Sequence, residues 1–295
     1  MSRGRRVTLA HPALGVVTAS VLFGTSGTAR SFAPGSASSL SVAGVRLMVG
    51  ALPLLAYGLA TDRRNRPRLR AEAVAAGAAM ALFQVCFFSA MEHSGVAVGT
   101  MLTIGSGPVI VAAIDTVAGR RPTGRVLTAL AAALAGLAML VLGSPPEGDT
   151  SFSPAGLFFG LAAGACYAVY TLLCKRLLDA GWSGTWTMAW SFVVAAVFAT
   201  GFVVPSSLEW LGTPSGPVTV GYLGLVTISA AYLLYARSLS RLTGSTVVTL
   251  TLVEPVTATT LGALVLDERI TAVSWAGAAV VVAALVVAGT STSSA

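Results

Sequence analysis

Charge is scarce in this sequence. Only 10% of its 295 residues are acidic or basic while 55% are hydrophobic, and the mean hydropathy is +0.82. That leaves too little polar surface to cover a water-soluble globule. Thiols and imidazoles are few as well. Cys86, Cys166 and Cys174 all fall within apolar runs and show no Cys-x-x-Cys or Cys/His ligand spacing, so they read as buried small apolar residues. His11 and His93, the latter beside Glu92, are too few for a metal cluster. No Gly-x-Ser-x-Gly elbow, Walker loop or zincin motif occurs, so no catalytic residue, metal or cofactor is assigned.

What the chain has instead is length in its apolar runs. Crossing ~30 Å of hydrocarbon takes ~20 mostly apolar residues in a helix, and ten such stretches can be read along the sequence. They run from Pro12 to Phe32, Ser38 to Ala60, Ala71 to Ala90, Val96 to Ala118, Val126 to Leu142, Pro154 to Leu178, Thr185 to Val204, Val218 to Ser238, Ser245 to Leu266 and Thr271 to Ala288. Barrel strands would instead be ~10-residue alternating segments. The expected fold class is therefore an all-α integral membrane protein of ten transmembrane helices.

A proline-marked span occurs twice, as Gly107-Pro108-Val109 and as Glu254-Pro255-Val256. Registering one proline on the other sets Arg120-Arg121 against Asp267-Glu268, with a final Ala/Val-rich span beyond each turn. The basic residues divide sharply between alternate loops. Arg3, Arg5, Arg6, Arg63 to Arg70, Arg120, Arg121, Arg125, Lys175, Arg176, Arg237 and Arg241 fall on one side, whereas Arg30 and Arg269 fall on the other. Basic short loops stay in the cytoplasm, so both termini are expected there, with Glu147, Asp149, Glu209, Asp267 and Glu268 outside. Five spans is an odd number, so a second five-span unit inserts upside down, which accounts for the charge reversal at the matched turns. The expected organisation is an N-terminal repeat over 1–143, an external linker over 144–153, an inverted C-terminal repeat over 154–289 and a cytoplasmic tail over 290–295.

The net charge of +7 comes from loops that would lie beside an anionic leaflet, and no nucleic acid partner is expected. Arg3-Gly4-Arg5-Arg6 before an apolar run also has the form of a signal peptide, with small residues near Ala29 as a weak cleavage site. Losing the first span would break the five-plus-five pairing, so the segment is expected to stay as an anchor.

Ionisable groups at membrane depth are costly and mark function by default. Arg46 lies about a third of the way along the second span and offers a planar fork of donors to a carboxylate or phosphate; tying helix backbones together is the alternative role. Glu254 precedes Pro255, which lacks an N–H and leaves the Thr251 carbonyl without its helical bond. A kinked, polar spot is expected there, with Glu254 either carrying a proton or bonded to a neighbouring helix. Pro108 likewise frees the Ile104 carbonyl. Asp115 is expected in an interfacial ion pair with Arg120 and Arg121. Gly24-Thr25-Ser26-Gly27-Thr28 suggests a kinked or discontinuous first span, although close packing alone could explain Gly24 and Gly27. Gln84, Tyr167, Tyr170, Trp190, Tyr232 and Tyr235 could wall a pocket, or serve packing and, for Tyr235, the interface near the basic turn.

Together the Arg46 span, Pro108 and the stretch from Leu252-Val253-Glu254-Pro255-Val256 to Leu264-Val265-Leu266-Asp267-Glu268 resemble the drug/metabolite transporter superfamily in its ten-helix EamA-type branch, over nearly the whole chain. Gly119-Arg120-Arg121-Pro122 departs from the Gly-Glu turn that the family often carries in the first half. The resemblance implies a carrier of the bacterial inner membrane, commonly an exporter of metabolites, amino acids or toxic organics, with a central cavity between the halves. Arg46, Gln84, Tyr167, Trp190, Tyr232 and Glu254 are the candidate pathway residues, and Gly24, Gly27, Pro108 and Pro255 the candidate hinges. The expected partners are a small-molecule substrate and the lipid bilayer; a proton or counter-solute could be coupled, and a homodimer could form. Import or exchange of sugars or nucleotide-linked metabolites is the alternative, with a scaffold, a sensor or a membrane-embedded lipid enzyme more remote.

Overall fold

The computed structural model describes residues 12–94, 96–119, 122–143, 153–267 and 270–290. Every regular element among them is helical. The first half comprises α1 (Pro12–Ser31), α2 (Ser39–Thr61), α3 (Ala71–Ser94), α4 (Val96–Val117) and α5 (Gly124–Leu142). After it come α6 (Pro154–Asp179), α7 (Gly184–Val203), α8 (Ser215–Gly224), a π-helical turn (Leu225–Ala230), α9 (Ala231–Leu239), α10 (Gly244–Leu250), α11 (Val253–Val265) and α12 (Ala272–Thr290).

Side-chain caps set several helix starts. Ser38, Ser183 and Thr243 each accept the backbone N–H three residues on, satisfying a donor that the first turn would leave bare. Eight helical stretches are long and apolar enough to cross a bilayer, two of them formed jointly by α8 to α9 and by α10 to α11. Shorter apolar helices, Gly124–Leu140 and Ala272–Val286, lie where the fifth and tenth spans are expected. Large apolar side chains project outward on many of these helices, Leu52 at 68%, Val197 at 65% and Leu264 at 74% exposure among them. Water would penalise such a surface and lipid would not.

Small residues set how the helices cross. A Cβ added to Gly44 would run into Val203 and Phe202, and one on Gly58 would lie 3.4 Å from Trp186, so α2 and α7 run antiparallel with their backbones close. Gly160 sits against Leu102 and Gly164 against Ser106, making α4 and α6 parallel. Gly136 and Gly277 join α5 to the antiparallel α12. The start of α7 also meets the end of α9 at Gly184 and Ala236, and the start of α1 meets it at Gly15 and Ser238. Arg63 to Arg70, the end of α6 and Arg237 are thereby gathered on one basic face.

Two local expectations are corrected here. The first span is neither broken nor discontinuous at Gly24 to Thr28: α1 continues through it, and the Thr25 hydroxyl bonds back to the Leu22 carbonyl at 2.7 Å. The Thr251 carbonyl is not left bare by Pro255, because the Glu254 N–H reaches it at 2.9 Å. Arg3, Arg5, Arg6, His11, Arg120, Arg121, Glu147, Asp149, Glu268 and Arg269 lie outside the described residues. The proposed Asp115 pairing therefore falls outside them too; Asp115 itself is buried in α4.

Candidate functional site

The break in the helical pair α10 and α11 builds the centre of the site. Thr249 and Thr251 turn their hydroxyls onto the Ser245 and Val248 carbonyls at 2.8 and 2.7 Å, competing with the backbone ladder. The Leu252 N–H then bonds to the Thr249 carbonyl at 3.1 Å, tightening the chain before α11 starts at Val253. Pro255 thus falls in the first turn of α11, where a missing N–H costs no helical bond. Glu254 occupies the same turn, where the exposed amides of the helix N-terminus favour a carboxylate.

Arg46 enters from α2. Its Nη2 donates to Gln84 Oε1 at 2.9 Å, and Gln84 is held nearly fully buried on α3. The Arg46 Nε is buried without a partner among the described residues. Glu254, Arg46 and Tyr232 line the same space. Described residues supply neither a hydrogen bond nor an ion pair within 4.0 Å to the Glu254 carboxylate.

These groups share a cavity of about 220 Å³. Tyr232 packs edge-on to Phe192 at 4.5 Å between ring centroids and against Phe23 at 4.8 Å. Phe83 stacks on Phe87 at 5.6 Å and meets Tyr167 at 5.8 Å. Upward, the lining reaches Arg30 near the end of α1, Met91 near the end of α3 and Thr100 near the start of α4. Downward it stops at Tyr167, Phe192 and Tyr232. Below them Tyr170 and Tyr235 are wholly buried, Tyr170 donating to Met188 Sδ at 3.2 Å and Tyr235 sharing a 2.9 Å hydrogen bond with Thr171. The cavity therefore faces away from the basic face.

Of the candidate residues, Arg46, Gln84, Tyr167, Tyr232, Glu254, Gly24, Gly27 and Pro255 line this cavity. Trp190 and Pro108 do not. Trp190 lies toward the basic face, beside Trp186 and 5.2 Å beneath the Arg66 guanidinium, because the tight turn after α2 folds back over α7. Pro108 lies within the unbroken α4. Tyr235 is a buried packing residue, not an interfacial one, since α9 turns it toward α6. Arg30, Thr103, Phe83, Phe87 and Phe192 also line the cavity and were missed as site residues. A signal for Arg30 existed, because it stands on the side otherwise almost devoid of basic residues.

Helices that cross a bilayer and enclose a polar-centred cavity define a multi-pass membrane protein. The EamA-like transporter family matches residues 12–142 and again 154–290, and the chain belongs to that family. It is a membrane transporter. It is 34% identical to the uncharacterized transporter YwfM of Bacillus subtilis, over 92% of this chain and 91% of that protein. It is 25% identical to the uncharacterized inner membrane transporter YicL of Salmonella typhimurium, over 92% of this chain and 93% of that one. A crystal structure superposes with a TM-score of 0.77 at 19% identity, over 94% of this chain and 96% of the other, a likeness of fold alone.

Proposed function

We propose that the protein is a secondary carrier that exports small metabolites, amino acids or toxic organic compounds by alternating access, without covalent chemistry. It sits in the bacterial inner membrane with both termini in the cytoplasm, as ten crossings in two inverted five-helix repeats. The cavity that faces away from the basic face carries this reading: with basic loops in the cytoplasm, it is an outward-facing state sealed below by Tyr170 and Tyr235.

The packing supports the repeat. Exchanging each of the first five spans for its counterpart five places later maps one set of helix contacts onto another. Spans two and seven touch each other, as do five and ten. The contact of three with six mirrors that of eight with one, and four with six mirrors nine with one. A scaffold needs no such exchangeable arrangement, whereas a carrier uses it to rock between two states of related shape.

Arg46 comes from the first half and Glu254 from the second, so rocking changes their separation. A substrate that binds the two states unequally shifts their balance, and Glu254 is placed to couple proton movement to that change. The test is counterflow into proteoliposomes preloaded in turn with amino acids, sugars, organic acids and organic cations. Saturable exchange that Arg46→Ala and Glu254→Gln abolish, with both variants inserted normally, is the expected result. Wild type that is monodisperse yet silent across the panel would refute the carrier reading.

A further inference from the structure

Among the described residues, the cavity lining holds two guanidinium groups and one carboxylate. Arg46 gives one Nη to Gln84, and Arg30 gives its Nη2 to the Ala37 carbonyl at 2.6 Å, yet the Nε of each is buried and unpartnered among the described residues. Thr103 Oγ1, on α4, is in the same condition. Of six such buried polar atoms among the described residues, these three line this one cavity. Of the described lining residues Glu254 alone is acidic, enough to balance one of the two guanidinium groups. Both arginines are half-buried, but their Nε–H groups are buried without an acceptor, which is costly, and both unpartnered nitrogens are donors with no capacity to accept. The missing complement is an acceptor with negative charge.

The remaining walls describe the rest of the ligand. Phe83, Phe87, Phe88 and Tyr167 give flat apolar surface beside the arginines. An apolar cavity of about 150 Å³ holds a benzene molecule, so about 220 Å³ admits one ring with a short acidic head.

We propose that the cavity binds a small organic acid, its carboxylate held by Arg46 and Arg30 and its ring-bearing body laid on Phe83, Phe87 and Tyr167. This assignment rests on the carrier reading only for its consequence, which is that the acid is the transported species. A cation would add to the uncompensated charge, and a neutral amide would leave it unmatched.

The experiment is calorimetric titration of the full chain in nanodiscs with 3-phenylpropanoate, 3-phenylpropanamide and phenethylamine. The acid is expected to bind at least about tenfold more tightly than the amide or the amine, as a charge-assisted hydrogen bond is worth more than a neutral one. Arg46→Gln and Arg30→Gln each weaken the acid by roughly 10- to 100-fold and leave the amide within about twofold. Arg46→Lys, which keeps the charge but loses the fork, recovers part of the affinity. An amine that binds as well as the acid, an acid affinity unmoved in both Gln variants, or no acid binding by monodisperse wild type would overturn the assignment. Counterflow of labelled 3-phenylpropanoate separates the two ideas. Binding with this pattern but without flux leaves the site intact and removes the carrier, whereas flux of amines without acid binding does the reverse.

Discussion

The two proline-marked spans began as a likeness in sequence and differ in the structure. In the first half, α4 passes through Pro108 without a break, and the residue before the proline is Gly107, where Tyr167 from α6 comes within 3.3 Å of where a Cβ would be. In the second half the helix stops at Leu250 and restarts at Val253, placing Glu254 and Pro255 in a new first turn. Neighbouring glycines correspond too: Gly24 of α1 rests on the Glu254 carbonyl, and Gly164 of α6 rests on the Gly107 amide. The glycine contact recurs while the chemistry does not. One half presents a carboxylate at a helix start, and the other fills the matching place with an aromatic ring.

The largest effect should come from erasing that difference. Glu254→Gln keeps shape and hydrogen bonding but removes the charge, and it is expected to lower flux by about 100-fold or more if coupling runs through the carboxylate, since intramembrane carboxylates of this kind carry relays. Gly107→Ala, the matching site in the other half, adds one methyl against the edge of Tyr167 and should cost less than about tenfold, in line with mild overpacking. Equal losses in the counterflow assay would show that the two halves contribute alike.

Next is the packing that the two halves share. A Cβ on Gly24 would lie 2.6 Å from Thr257 Cβ and 2.7 Å from the Glu254 carbonyl, whereas one on Gly27 would meet nothing within 4 Å. Gly24→Ala should therefore destabilise the protein by roughly 1–3 kcal/mol, the usual range for forcing a methyl into a packed site, and Gly27→Ala by less than about 0.5 kcal/mol. Thermal melts in one detergent decide this. Losses of similar size would mean that α1 bends at these residues and is not simply packed there.

This pair also marks what the sequence could tell. Hydropathy suffices for the eight long apolar helices because a bilayer makes each span legible from its own residues. Arg46, Gln84 and Glu254, which line the cavity, could be singled out as candidates for the same reason, being polar at depth. Gly24 and Gly27 look alike in sequence, and only the partner helix α11 separates a contact from open space. Trp190 is another case. An indole in mid-span fits a cavity wall equally well until the turn after α2 is seen to fold over it. Arg30 was counted with the loops although it falls inside the first span, and only the packing of the helices brings it to the cavity wall.

The prolines themselves come third. Removing Pro108 restores an N–H in mid-helix and can return the Ile104 carbonyl to the ladder, a gain of about 1 kcal/mol. Removing Pro255 restores an N–H in a first turn, where no helical acceptor awaits it, and should change stability by less than about 0.5 kcal/mol. Melts of Pro108→Ala and Pro255→Ala give the contrast directly. A large change at Pro255 would place the origin of the break in the proline and not in the threonines before it.

The smallest effect concerns the loops that follow spans two and seven, which the proposed repeat sets on opposite faces. Each contains a short 3₁₀ turn, Arg63–Asn65 and Glu209–Gly212. The second is fixed by Trp210, which is buried in one apolar cluster with Ala37 and Val42. The first is fixed from outside: Arg66 lies 5.9 and 5.2 Å above the rings of Trp186 and Trp190, and the Trp186 Nε1–H donates to the Asp62 carbonyl at 2.9 Å. A cation–π contact of this sort contributes about 0.5–2 kcal/mol, which suits a latch that must release in each cycle. Arg66→Ala should then raise the population of states open toward the basic face by several-fold, the size such an energy allows. Cys174 can report it, being wholly buried on α6 between the cavity floor and that face. With Cys86 and Cys166 changed to serine, maleimide labelling of Cys174 should be slow in the parent and several-fold faster with Arg66→Ala, while Arg66→Lys stays near the parent rate because it keeps the cation over the rings. Unchanged labelling in Arg66→Ala would reduce the contact to surface packing and leave Tyr170 and Tyr235 to close that end alone.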